Sequence, residues 1–188
     1  MLTVVEPEQL PVAQAKAGDA GAWDALFRRY QLPLYAYVRE LVRNEQTALD
    51  IVQETFINAT RHVGRLADNE RFGSWLFSIA HQKVVQHWRR QPQRDRVVPA
   101  EEQTGLAEPE SAEPNPSEQL IAREQEAELW AILEQLPPAH KAVLLLHYLE
   151  DFPLETIAEI TATEPGTVKS RLHYARKSLR KLMEEKQP

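Results

Sequence analysis

The C-terminal part of the chain contains a run of basic side chains whose spacing could bind phosphate groups. Residues 166–181 carry six Lys and Arg side chains and neither Asp nor Glu. Most of these cations lie opposite an apolar helical stripe, which consists of Val168, Leu172, Ala175, Leu179 and Leu182. A helix of this kind has the electrostatic footprint of a DNA-binding element. The alternative is a solvated basic face on an ordinary helical hairpin.

The residues just before this helix complete a helix-turn-helix pattern. A short helix is predicted from the apolar spacing of Leu154, Ile157, Ala158 and Thr161. Turn-forming residues follow at 163–166, in the order Thr-Glu-Pro-Gly. A short helix, a tight turn and a second helix with outward-facing basic side chains meet the requirements for reading the DNA major groove.

The other polar side chains form no catalytic or metal-binding motif. None of the six histidines has a second histidine at the i, i+4 spacing of helical zinc sites. Glu155 and Glu159 lie one turn apart, and we expect them to be solvated rather than an acid–base pair. The absence of cysteine excludes thiolate metal sites, and there is no Gly-rich phosphate loop. We therefore predict no catalytic residue, no metal, no cofactor and no enzymatic activity.

The N-terminal half has the periodicity of a helical bundle. Apolar side chains recur at spacings of three and four from Trp23 to Leu41, and Pro33 predicts a kink within this helix. Further helices are predicted near 47–61 and 72–90. The buried stripe expected for the helix at 47–61 consists of Leu49, Val52, Phe56 and Ile57. No strand pattern of useful length is present, so the predicted fold class is all-α.

An acidic, proline-rich segment divides the chain. Residues 94–118 combine acidic side chains and prolines with little apolar periodicity, which predicts a flexible linker. A new helix is expected to begin near Ser117, and Pro137-Pro138 should end it and start another helix through Tyr148. The predicted boundaries are a first domain at 1–93, the linker at 94–118 and a second domain at 119–188.

Composition limits where the chain could act. The net charge is −6, and the basic helix is the exception to the acidic character of the C-terminal part. There is no apolar run of membrane-spanning length and no secretion signal at the N-terminus. The lack of cysteine fits a reducing compartment. We therefore expect a cytoplasmic protein with no membrane span.

Several strings in both halves are characteristic of one family. The N-terminal strings are Ala48-Leu-Asp-Ile-Val-Gln-Glu-Thr-Phe and Phe72-Gly-Ser-Trp-Leu-Phe-Ser-Ile-Ala, and the C-terminal ones are Glu155-Thr-Ile-Ala-Glu-Ile and Gly166-Thr-Val-Lys-Ser-Arg-Leu-His-Tyr-Ala-Arg. They resemble regions 2 and 4 of the extracytoplasmic-function (ECF) class of sigma-70 transcription initiation factors. The resemblance implies two small helical domains, a region 2 bundle and a region 4 helix-turn-helix, joined by a flexible linker.

The resemblance also implies a function and a set of contacts. A protein of this family binds core RNA polymerase, recognises the −10 and −35 elements of promoter DNA, helps to melt the DNA and is held in check by an anti-sigma factor. The residues implied for polymerase binding are Asp50, Gln53 and Glu54. Those implied for the −10 element are Arg65, Asn69, Arg71, Trp75, Gln82, Gln86 and Arg89. Those implied for the −35 element are Thr167, Lys169, Ser170, Arg171, His173, Tyr174, Arg176 and Lys177.

The sequence departs from the common family pattern at two places. His81-Gln82 stands where many members have Arg-Asn, and this difference predicts an altered −10 base preference. Tyr174 stands where a basic residue is common, which puts one −35 contact in doubt.

Alternatives remain for several of these assignments. Trp75 could serve simple core packing, the polar face around Asp50 could be a solvated surface, and the linker could be a passive tether. A helix-turn-helix repressor would explain the C-terminus, but it leaves the N-terminal strings unexplained.

Overall fold

The computed structural model describes residues 10–90, Leu133 and residues 135–186, with side chains described as far as Lys181. The secondary structure of these residues is helical throughout, and no strand occurs among them. The α-helices are α1 (Val12–Lys16), α2 (Ala20–Val42), α3 (Glu45–His62), α4 (Phe72–Arg90), α5 (Pro138–Tyr148), α6 (Leu154–Thr161) and α7 (Pro165–Lys186). The all-α prediction is confirmed, whereas the predicted linker lies outside the described residues.

Local sequence explains how α1 turns into α2. Gly18 has a φ of 90°, a left-handed conformation that glycine adopts without steric penalty. Asp19 then caps α2, because its Oδ1 accepts a hydrogen bond from the backbone N–H of Ala22 at 2.9 Å. The helix continues through Pro33 and reaches Val42, so the proline does not divide this segment.

The buried face of α3 differs from the predicted stripe. Val52 and Phe56 are buried as expected, but Leu49 is 47% exposed and Ile57 is 41% exposed. The face that packs on α2 and α4 is centred instead on a different set, namely Ala48, Ile51, Val52, Thr55, Phe56 and Ala59. Leu49 and Ile57 lie at the edge of this face and reach solvent. The prediction that they belong to the core was therefore wrong.

The helix-turn-helix is present, but its turn spans residues 162–164 rather than the predicted 163–166. Ala162 adopts a left-handed conformation with a φ of 50°, and the N–H of Thr163 donates to the carbonyl of Ala158, which closes α6. Pro165 and Gly166 do not belong to the turn, because α7 begins at Pro165. Proline is favoured at this position, where its missing N–H would have no helical partner.

The N-terminal and C-terminal helices pack together and share one apolar core. The ring of Phe77 on α4 meets that of Phe152, just before α6, edge to face at 5.5 Å. Lys141 on α5 is only 2% exposed, and its Nζ donates to the backbone carbonyl of Glu40 on α2 at 3.3 Å. We call this contact between α2–α4 and α5–α6 the interdomain interface. Within the described residues, no helix is long and apolar enough to cross a membrane.

Candidate nucleic-acid interface

Several residues predicted to contact the −10 element surround a single open cavity on α4. Trp75, Gln82 and Gln86 line it from α4, and Arg65 lines it from the turn after α3. The cavity has a volume of about 390 Å³. Trp75 is half-buried and packs its ring 5.9 Å from that of Phe72, so it both supports the core and forms a wall of the cavity. An aromatic ring beside amide groups can stack on an unpaired base and bond to its edge.

Four further lining residues were not among the predicted site residues. They are Asn58 and His62 on α3, and Ile79 and Lys83 on α4. Asn58 and His62 lie one helical turn apart, and this spacing is visible in the sequence. The sequence does not show that α3 faces α4 at this point, so these two residues were not predicted. Arg89 is exposed near the end of α4 and is not among the residues that line the cavity.

The other two predicted loop residues have protein partners. The guanidinium of Arg71 donates to Oε2 of Glu159 on α6, across the interdomain interface. The Oδ1 atom of Asn69 accepts a hydrogen bond from Nζ of Lys16 at 2.5 Å. Neither residue lines the cavity with Trp75 and Gln82.

The residues of the His81-Gln82 pair have different surroundings. His81 is buried, and its Nδ1 lies 2.8 Å from the hydroxyl of Tyr37 on α2. Burial, together with the positive charge of Arg171, lowers the pKa of His81 to about 4. Burial also raises the pKa of Tyr37, so its hydroxyl stays protonated and shares a hydrogen bond with the neutral imidazole. Gln82 is exposed at the cavity.

The polar side chains predicted to bind polymerase are exposed along one side of α3. Asp50 accepts a hydrogen bond from Nε2 of Gln46 at 3.1 Å, and Glu54 pairs with Nζ of Lys83 at 2.6 Å. Gln53 is exposed between them. The exposed side chains of Leu49 and Ile57 extend this surface, so it combines acidic groups with apolar area. This side of α3 therefore offers both hydrogen-bond acceptors and apolar contact area.

The −35 residues predicted on α7 are mostly exposed. Those open to solvent are Lys169, Ser170, His173, Tyr174, Arg176 and Lys177, whereas Thr167 and Arg171 are half-buried. Oγ of Ser170 donates to the carbonyl of Thr167 at 2.9 Å. Arg176 donates from Nε to the hydroxyl of Tyr148 at 2.6 Å and lies over its ring. Tyr148 was not predicted, because nothing in the sequence links the end of α5 to the middle of α7.

Arg171 differs from the other cations of α7. It lines an open groove of about 650 Å³ between α6 and α7, together with Glu155, Glu159 and Glu164. Its charge contributes to lowering the pKa of His81, so Arg171 acts electrostatically across the interdomain interface. Three acidic neighbours disfavour a phosphate at this groove.

Comparison with known proteins identifies the family. Residues 26–94 match sigma-70 region 2, and residues 126–179 match sigma-70 region 4. The RNA polymerase sigma-H factor of Pseudomonas aeruginosa is 31% identical over 98% of this chain and 97% of its own length. The ECF sigma factor SigL of Mycobacterium tuberculosis is 32% identical over 93% and 96%. The sigma factor RpoE from Bartonella quintana, solved with the anti-sigma factor NepR, has a TM-score of 0.63 at 21% identity and covers 86% of this chain and 98% of its own. The chain belongs to the ECF sigma factors of the sigma-70 family, which are transcription initiation factors.

Proposed function

We propose that this chain directs core RNA polymerase to promoters with −10 and −35 elements and helps to open the DNA at the −10 element. The observation that carries this proposal is the cavity on α4, where Trp75, Gln82 and Gln86 lie together with Arg65. The chain contributes binding and base recognition, and the polymerase supplies the bond-forming chemistry. The proposed place of action is the cytoplasm.

The −10 cavity has the chemistry needed to hold an unpaired base. Trp75 offers an aromatic face on which a base can stack, a contact worth about 1–3 kcal/mol. The amides of Gln82 and Gln86 can donate to and accept from base edges. Arg65 supplies a cation for the backbone phosphate. Asn69, Arg71 and Arg89 are proposed to extend this contact along the strand.

The −35 element is proposed to be read by α7. Lys169, Ser170 and His173 lie nearest the base edges, while Thr167, Arg176 and Lys177 contact phosphates. Tyr174 takes an aromatic rather than a cationic role, because its ring stacks on that of His140, with centroids 6.4 Å apart. Arg171 stays the weakest member of this group, since it lines the same groove as Glu155, Glu159 and Glu164.

Polymerase binding is proposed to use the exposed side of α3. Asp50, Gln53 and Glu54 supply acceptors, and Leu49 and Ile57 supply apolar area at its edges. Buried apolar area contributes most of the affinity in such contacts, while charge complementarity selects the partner and speeds association.

Residues 1–93 and 119–188 are proposed as the two functional domains, with 94–118 as the linker between them. A compact chain of 188 residues has a radius of gyration of about 16 Å, whereas the two promoter elements lie roughly 70 Å apart, or two helical turns. The packed arrangement cannot reach both elements, so binding to polymerase must separate the domains. An anti-sigma factor is the proposed partner that keeps the protein from polymerase, as NepR is bound to RpoE in the structural relative.

Run-off transcription tests the proposal directly. Purified core enzyme and this chain are given a promoter library randomised across both elements, and the transcribed sequences are counted. We expect two enriched elements at promoter spacing, and Gln82→Ala should change the preference at one −10 position. Gln14→Ala, which removes an exposed amide on α1 away from the cavity, is the matched control. Transcripts without sequence enrichment from the unmodified chain would reject the proposal.

A further inference from the structure

The loop that connects α3 to α4 is tied to the first helix by a lysine. Nζ of Lys16 donates to the backbone carbonyl of Leu66 at 2.6 Å and to Oδ1 of Asn69 at 2.5 Å. The two acceptors lie three residues apart in the loop. The single ammonium group of Lys16 therefore links the start of the loop at Leu66 to the turn at Asn69. No pattern in the sequence singles out Lys16, which lies 53 residues from Asn69.

The position of Lys16 is fixed by the packing of its helix. Val12 and Ala15 on α1 are buried in the core. The indole N–H of Trp23 on α2 donates to the carbonyl of Ala15 at 3.1 Å, which fastens the end of α1. Lys16 is itself half-buried and follows directly after this anchor. Its ammonium group is therefore held in place rather than sampling solvent.

The chemistry of an ammonium group fixes the orientation of the Asn69 amide. A lysine carries three N–H donors and no acceptor, so the oxygen of Asn69 must face Lys16 and the nitrogen must face away. Within the described part of the chain, no acceptor is bonded to Nδ2 of Asn69. The loop consequently presents the N–H donors of the Asn69 amide to a ligand. The positive charge of Lys16 strengthens its hydrogen bond to the amide oxygen, and this bond keeps the N–H donors in that orientation.

We propose that Lys16 is a positioning residue that sets the base preference of this loop. By holding the oxygen of Asn69, Lys16 leaves an N–H donor for an unpaired −10 base that presents an acceptor, either a carbonyl oxygen or a ring nitrogen. A base that presents an amino group at the same point would meet a donor and be disfavoured. The inference rests on the proposed role of this loop at the −10 element.

Two roles of Lys16 are distinguishable by substitution. If Lys16 only stiffens the loop, its loss lowers transcription equally on all sequences. If it orients Asn69, its loss lets the amide rotate, and selectivity falls at one −10 position. Asn69→Asp separates these roles further, because a carboxylate still accepts from Lys16 but has no N–H donor left for the base.

The experiment uses the full chain with core polymerase and a library randomised across the −10 element. The variants are Lys16→Met, Lys16→Arg and Asn69→Asp, each checked for its helical circular dichroism and melting temperature. Lys16→Met should reduce the preference at one position by about tenfold, while Lys16→Arg, which keeps the charge and donors, should retain most of it. Asn69→Asp should reverse the preference at that position towards a base that presents an amino group.

The results separate this inference from the function on which it rests. If the unmodified chain shows no −10 preference at all, the proposed function fails. If the unmodified chain is selective and Lys16→Met has lower yield with the same preferences, Lys16 is only a scaffold and the inference is overturned. An unchanged preference in Asn69→Asp also overturns it. Should Lys16→Met not fold, Asn69→Asp decides the question, because it retains the contact with Lys16.

Discussion

We expect the free energy of unfolding to decrease as the pH falls below 7, because of the buried side chain of His81. The imidazole is buried, it shares a hydrogen bond with the hydroxyl of Tyr37, and the charge of Arg171 acts on it from α7. Protonation would place a cation in the core and add repulsion from Arg171. The folded state therefore resists a proton that the unfolded chain accepts readily.

The sign and size of the effect follow from the two pKa values. The pKa of His81 is about 4 in the folded protein and 6.5 in the unfolded chain. Between these values the unfolded state binds more protons, so the stability of the folded state falls as the pH decreases. Integrating over this difference gives a loss of about 2 kcal/mol between pH 8 and pH 5, and about 3 kcal/mol by pH 4. Above pH 7.5 the group contributes no pH dependence.

Urea unfolding measured between pH 8 and pH 5 tests this prediction. The free energy of unfolding of the unmodified chain should fall by about 2 kcal/mol more than that of His81→Gln, which cannot titrate. His62→Gln, which removes an exposed histidine, is the matched control. Arg171→Gln should reduce the loss, because removal of its charge raises the pKa of His81. Equal slopes for the unmodified chain and His81→Gln would refute this account of the buried imidazole.

Three further predictions concern the surfaces. Charge reversal by Asp50→Lys and Glu54→Lys should abolish co-purification with core polymerase while the protein stays folded. Glu45→Lys, at the start of α3, should leave co-purification intact. Retained binding of the double variant would place the polymerase contact elsewhere. Lys169→Ala combined with Ser170→Ala should relax selection of the −35 sequence, at a cost of about 1–3 kcal/mol in binding free energy per lost base contact. Binding of the holoenzyme to promoter variants measures this cost. Unchanged selection would exclude the proposed orientation of α7. Phe152→Ala should weaken the interdomain interface and so increase the radius of gyration measured by X-ray scattering. Phe27→Ala, which loses a ring pair inside the N-terminal bundle, should leave the radius of gyration unchanged. Equal scattering curves for the two variants would show that Phe152 does not hold the domains together.

Local sequence signals predicted the helices well because each signal acts over a few residues. The pattern from Phe72 to Arg90 gives α4 its observed bounds, and Pro138 begins α5 because a proline fits the first turn of a helix. The shifted turn before α7 has the same cause. Proline and glycine occur both in turns and at helix N-termini, and the capping by Ala162 that ends α6 leaves little trace in the sequence.

Partners distant in the sequence could not be predicted in the same way. Arg71, which is proposed to contact DNA, pairs with Glu159, 88 residues away. His81 and Gln82 were treated together as the departure from the family pattern, yet one is buried and the other exposed. Adjacent residues on a helix point about 100° apart, so only the packing of α2 and α6 against α4 decides which of them can meet a base.

On the proposed function, the interdomain interface would make promoter binding by the basic helix α7 depend on polymerase. The exposed ion pair of Arg71 and Glu159 contributes at most about 1 kcal/mol, and the Phe77–Phe152 ring pair adds about as much. These two contacts alone, about 2 kcal/mol, would leave the open form at roughly 3% of the population and weaken apparent promoter affinity about thirtyfold. The shared apolar core and the buried Lys141 contact add to this preference for the closed form. A polymerase that binds only the open form removes this penalty. Modest closure is sufficient, because a much stronger interface would also oppose polymerase binding.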